Sequence, residues 1–148
     1  MTVEVQTLQG VKSGSSVMQV VATQQLKLSS EERAGGAGLL GEAVVVDLPA
    51  GPIFVSLEVP GAGQGLYSRV TRALAPDAPG QPVTDFVTVV GKLGGWFANA
   101  KAELPREDWP IMLRFRNLAD PTSIGKIDPS SVGVRIIMLE ITEDKITN

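Results

Sequence analysis

Alternation with a period of two dominates the start of the chain. Val3, Val5 and Thr7 fall on one side and Glu4 and Gln6 on the other, so Thr2 to Leu8 reads as a half-buried strand. Ser15 to Thr23 resumes the pattern, with Val17, Gln19 and Val21 opposite Met18, Val20 and Ala22. Gly10 to Gly14 lies between them, which predicts a β-hairpin over residues 2–23 with a turn longer than two residues. Residues 29–41 run from Ser29-Ser30-Glu31-Glu32-Arg33 into Ala34-Gly35-Gly36-Ala37-Gly38, too Gly-rich for a helix, and are predicted to be a mobile loop. Ala43 to Leu48 is a short β-branched run of the kind buried on both faces. Ile53 to Val59 alternates again, fenced by Pro52 and Pro60 where a missing N–H does least harm.

The centre changes period. Leu66, Val70 and Leu74 recur every four residues, one stripe on a short helix that ends before Pro76. Beyond a Pro-rich loop at 76–82, Val83, Phe86, Val87, Val90, Leu93 and Phe97 have helical spacing. Gly91, Gly94 and Gly95 interrupt that stripe, so residues 83–102 read either as one helix or as two. In the last third Ile111, Leu113 and Phe115 alternate with Met112, Arg114 and Arg116, a strand with one apolar face. Val134 to Ile141 is apolar on both sides, as an interior strand should be. Asp120-Pro121 and Asp128-Pro129 are turn or N-cap signals, because an Asx carboxylate accepts from nearby backbone N–H groups. Together these elements predict an α+β fold in a single domain spanning 1–148: a mostly antiparallel sheet of about six strands with one or two helices packed on one face.

Composition narrows the chemistry. The 148 residues are 43% hydrophobic and 20% charged, which suits a folded domain with its own core. No apolar run approaches the ~18–20 residues of a membrane span. Cysteine and histidine are both absent, which removes disulfides, thiolate catalysis, Ser-His triads and most zinc sites. The net charge is −3, spread over both halves of the chain, so nucleic acid is not an expected partner.

Several motifs look chemical but fail in detail. Gly61-Ala62-Gly63-Gln64-Gly65 precedes a predicted helix but lacks the Lys-Ser/Thr ending of a phosphate loop. Ser13, Ser15 and Ser16 would need Lys12 or Lys27 as base, and nothing brings either to a buried serine. The carboxylates Glu103, Glu107, Asp108 and Glu140, Glu143, Asp144 read as solvated element ends, without the aromatic cleft that sugar hydrolysis requires. The stretch Asp120 to Asp128 is too sparse in acids for a calcium loop. Arg114 and Arg116 share a strand face and Arg135 can lie across from them, which suits an anionic ligand or pairing with Glu58 or Glu140. Trp109, between Asp108 and Pro110, reads as a surface anchor or as the lid of the core. The candidate partner- or ligand-binding residues are therefore Trp109, Arg114, Arg116 and Arg135, with no catalytic, cofactor or metal residue expected.

Thr2-Val3-Glu4-Val5-Gln6-Thr7, Gly10-Val11-Lys12-Ser13-Gly14, Gly41-Glu42-Ala43-Val44-Val45-Val46-Asp47-Leu48-Pro49 and Asp108-Trp109-Pro110-Ile111-Met112-Leu113-Arg114-Phe115 occur in that order. With Asp120-Pro121, Asp128-Pro129 and Glu140-Ile141-Thr142 they resemble a family of uncharacterised proteobacterial cell-envelope proteins. The resemblance spans nearly the whole chain and is weakest over 24–40 and 60–100. It implies an exported, periplasmic-side domain preceded by a signal or anchor of roughly 15–30 residues, the one route to a membrane. Without such a leader the protein is cytoplasmic. The resemblance carries over no functional residue. The leading expectation is a non-enzymatic domain that binds a partner protein and holds no cofactor. The other is a small hydrolase or anionic-ligand-binding domain that uses arginine and carboxylate side chains.

Overall fold

A computed structural model describes residues 1–24, 35–61, 65–76, 83–95 and 99–147. The fold is α+β: among the described residues, ten strands in antiparallel sheets and two α-helices. The strands form three sheets where one sheet of about six strands is expected.

In the first sheet β1 (Thr2–Thr7) pairs with β2 (Gly10–Ser15) from Thr2↔Ser15 to Thr7↔Gly10. The hairpin turn is thus Leu8-Gln9, and the expected turn at Gly10–Gly14 is itself strand. The Thr7 hydroxyl closes the turn, accepting from the Gln9 N–H (3.1 Å) and donating to the Gly10 carbonyl (2.7 Å). The polar composition of β2 suits an exposed edge strand. Gly14 there is demanded by packing, since a Cβ would collide with the Val45 carbonyl. On the other side of β1 lies β10 (Val134–Glu140), followed by β7 (Lys101–Glu103). The β1–β10 register runs Val3↔Ile137, Glu4↔Ile136, Val5↔Val134, so Arg135 is an extra, bulged residue. The bulge puts both Val134 and Ile137 in the core.

The second sheet pairs β3 (Gln19–Gln24) with β4 (Gly35–Leu40). Residues 35–40 are thus strand rather than the end of a 29–41 loop, whose earlier part lies outside the described residues. The ladder is backbone to backbone, so glycines can serve it while Val20 and Val21 supply the β-branched partner strand. The third sheet has the order β5 (Val44–Val46), β6 (Ile53–Val55), β8 (Met112–Phe115), β9 (Ile124–Ile127). β5 is an edge strand with Val44 and Val46 buried and Val45 43% exposed, not a strand buried on both faces. The 3-10 turns on either side of β9 begin where expected: Asp120 accepts from the Thr122 N–H (2.9 Å) and Asp128 from the Ser130 N–H (3.0 Å).

Valines and isoleucines of the first and third sheets share one core, with Val3, Val5 and Ile137 from one and Val44, Ile53 and Val55 from the other. Helix α1 (Leu66–Leu74) follows its predicted stripe and packs on β4, β7 and β10. Helix α2 (Val83–Leu93) packs on β3 and β4, so both helices meet the second sheet and α1 also bridges to the first. Tyr67 and Phe86 join them edge to face, with ring centroids 5.5 Å apart. Helix α2 ends at Leu93 with a turn at Gly94 and Gly95, and Lys101–Glu103 is β7, so residues 83–102 are not one helix; residues 96–98 lie outside the described residues, as do residues 77–82 of the Pro-rich loop.

Candidate functional site

The four residues singled out from the sequence occupy three different places. Trp109 is buried, 6% exposed, and its indole N–H donates to the Leu104 carbonyl at 2.9 Å. The Arg106 guanidinium lies 5.2 Å from the ring centroid, so this tryptophan is a lid on the core with a cation over it. Arg114 sits in β8 opposite Gly125, half-buried, its Nε–H without a hydrogen-bond partner among the described residues. Arg116 is exposed just beyond that strand. Arg135 is the bulged residue of the first sheet and reaches Gln6 Oε1 at 3.4 Å. Their expected partner Glu140 is taken by Lys101 at 3.0 Å. The structure therefore does not bring the three arginines together.

A different arginine pair converges on one carboxylate. Arg69 and Arg72, one helical turn apart on α1, both bind Asp108, through Oδ1 at 2.5 Å and Oδ2 at 2.6 Å. The Asp108 side chain is 4% exposed, against 23% for Arg69 and 63% for Arg72, so it is not the solvated charge its neighbours suggest. Burial pushes its pKa up, but hydrogen bonds from Arg72 and Arg69, with their charges, outweigh that and hold the carboxyl below its ordinary range. This clamp ties α1 to the Leu104–Trp109 segment. Its only sequence signal is two arginines three apart on the polar side of a helix.

The more telling feature is the outer face of the third sheet. For β8 the sequence predicts a strand that buries Ile111, Leu113 and Phe115 and presents its arginines; instead Met112 is the buried residue, Arg114 is half-buried on its side, and Ile111, Leu113 and Phe115 are only half-buried. Met112 is 1% exposed in the core, while Leu113 and Phe115 lie on the other face. The registers Val45↔Phe54, Phe54↔Leu113 and Leu113↔Lys126 place these four residues in one row across all four strands. Phe115 and Ile124 pair in the adjacent row. Phe54 and Phe115 meet edge to face, centroids 5.3 Å apart at 87°. Val45 and Ile124 at the margins are 43% and 44% exposed. Of the other described elements, those packed closely on this sheet are β1 and β2, whose inward residues share its buried side. The result is an apolar, aromatic-centred face with one lysine in the row.

A cavity of about 520 Å³ lies elsewhere, between β3, β4, the two helices, the end of β10 and the segment after it. Val20, Leu39, Val70, Val90, Leu93 and Leu139 contribute to its walls, and no aromatic residue lines it among the described residues. The segment closing it is anchored by reciprocal bonds: Thr147 N–H to the Val17 carbonyl (3.0 Å) and Val17 N–H to Thr147 Oγ1 (2.9 Å). Among the described residues no group of acids is placed to hold a metal ion, and no helix is long and apolar enough to cross a membrane. No family model matches the chain, and neither a curated protein nor a solved structure does.

Proposed function

We propose that this chain is a non-enzymatic binding domain of the bacterial cell envelope whose partner is another protein, docked on the outer face of the third sheet. The observation that carries the reading is the contiguous row Val45, Phe54, Leu113 with the Phe115–Ile124 pair beside it, left facing outward while the same strands bury their other side. Aromatic residues near the centre of an exposed patch are what interfaces use as anchors. The partner presents an apolar surface with a carboxylate opposite Lys126, the cation in the row. The envelope location rests on the family resemblance. The anionic-ligand alternative is less favoured, because Arg114 lies in the third sheet with Arg116 just beyond its strand, Arg135 lies in the first sheet, and none lines the cavity.

The test is crosslinking and affinity capture from envelope fractions with the wild type, Phe115→Asp and, as a control on the other sheet, Arg135→Ala. A specific protein retained by the wild type and the control but lost with Phe115→Asp supports the reading. The same proteins retained by all three refute it. Concentration-dependent dimerisation lost in Phe115→Asp makes the partner a second copy and overturns the heteromeric version.

A further inference from the structure

We propose that the cavity between the β3–β4 sheet and the two helices is a binding site for an amphiphile with a single aliphatic chain and a carboxylate head. It is a second site, independent of the outer sheet face, and three observations carry it.

The first is size. A cavity of ~150 Å³ admits benzene, so about 520 Å³ admits on the order of 20 carbon atoms. The second is the chemistry of the walls. Most of the lining is valine, leucine, isoleucine and methionine, with Gln19, Thr71 and Thr142 as its uncharged polar side chains and no aromatic ring among the described lining residues to stack a planar or sugar ligand. Branched aliphatic walls fit a flexible hydrocarbon chain, whose burial is non-directional and needs no polar partner. Thr71, buried in this wall, already donates its hydroxyl to the Tyr67 carbonyl at 2.8 Å, so it demands no hydrogen-bond acceptor from a ligand.

The third is the placement of charge. The charged side chains of the lining are confined to residues 140–145, at the end of β10 and just after it. Two of them are acids already engaged: Glu140 by Lys101 at 3.0 Å, and Asp144 by the Thr142 hydroxyl at 2.7 Å. Lys145 is the one cationic side chain on the lining and forms no ion pair among the described residues, while the Met1 ammonium, also on the lining, donates to the Ser16 carbonyl at 2.9 Å. An aliphatic chain in the cavity with its carboxylate at Lys145 satisfies both parts of the site.

The experiment is calorimetric titration of the purified chain with straight-chain carboxylic acids from decanoate to octadecanoate, and with the matching primary alcohols. One-to-one binding is expected, tightening about fourfold per added methylene and then levelling off within the series when the cavity is full. Lys145→Ala, at an exposed position, should weaken the acids about three- to fivefold and leave the alcohols unchanged. Val90→Phe, which occupies part of the cavity, should move the optimum to shorter acids. Absence of saturable binding by every acid overturns the site. So does binding that Val90→Phe leaves unaltered in chain-length preference. Equal affinity for acids and alcohols with Lys145→Ala silent overturns the carboxylate assignment. Dimerisation abolished by Val90→Phe and untouched by the acids overturns it in favour of a second copy.

Discussion

Asp108→Asn isolates the clamp between helix α1 and the Leu104–Trp109 segment. The amide keeps the shape of the carboxylate, retains one acceptor and turns the other position into a donor aimed at a guanidinium. Arg72 is 63% exposed and regains water, so its share of the loss is small. Arg69 is 23% exposed, and its Nε already lacks a partner among the described residues, so a weakened bond there leaves a desolvated cation. One charge-assisted bond of about 1.5–3 kcal/mol plus the smaller Arg72 contribution gives a destabilisation of about 3 kcal/mol. At roughly 2–4 °C per kcal/mol for a domain of this size, the midpoint should fall by about 6–12 °C. The assay is urea and thermal denaturation followed by circular dichroism across the acid range. The folded-state pKa of Asp108 lies below its ordinary 3.8, so its stabilisation is complete above that value and is lost as pH falls through the folded pKa. The gap between wild type and variant should therefore be constant near neutrality and shrink below about pH 4. Asp120 is also lowered, by the Thr122 hydroxyl and then its N–H, but it is present in both proteins and cancels. A variant within about 0.5 kcal/mol of wild type at neutral pH, the range of an ordinary surface change, refutes the clamp. So does a gap that persists undiminished in acid.

Two further outcomes test the packing. Gly14→Ala drives a Cβ into the Val45 carbonyl and should cost about 2–3 kcal/mol, whereas Gly38→Ala, with nothing within 4 Å, should be neutral or stabilising by about 0.4–1 kcal/mol; paired urea titrations read the contrast. Asp128→Ala removes the acceptor for the Ser130 N–H and should cost about 1 kcal/mol, measured the same way, with Asp128→Asn recovering most of it.

How much of this was legible depends on how local each cause is. The stripe Leu66, Val70, Leu74 gave helix α1 its extent, and the two Asp-Pro pairs gave the starts of both 3-10 turns that flank β9, because the determinants lie within a few residues. β4 was not legible, since Gly35 to Gly38 carries no side-chain pattern and its strand state comes from pairing with β3. β9 was hidden between those turns, four residues with an interior glycine whose ladder is supplied by β8. The clamp joins residues 36–39 apart in sequence, beyond any periodic signal. Trp109 left anchor and lid open because both use the same large amphipathic ring; the Leu104 carbonyl decides for the lid.

Strand β8 separates period from sign. Alternation says that Met112 and Arg114 face one way and Leu113 and Phe115 the other, but not which way is in. Taken alone, the strand should bury leucine and phenylalanine and leave the arginine in water. The fold instead turns Arg114 toward the Met112 side, where its Nε is buried without a partner among the described residues, and leaves the half-buried Phe54 and Phe115 on the outer face. Gly125 opposite Arg114 leaves room there for the aliphatic stem of the arginine, which eases the first cost without removing it. The edge-to-face packing of the two rings, both half-buried, eases the second only in part. A one-residue slip of β8 would reverse Arg114 and Phe115, though not Phe54 on β6, so this strand is not arranged for its own stability at this point. Natural sequences break the inside–outside rule chiefly where function needs the surface. It is this cost, carried by one strand and shared by its neighbours in register, that makes the outer face of the third sheet the place to look for a partner.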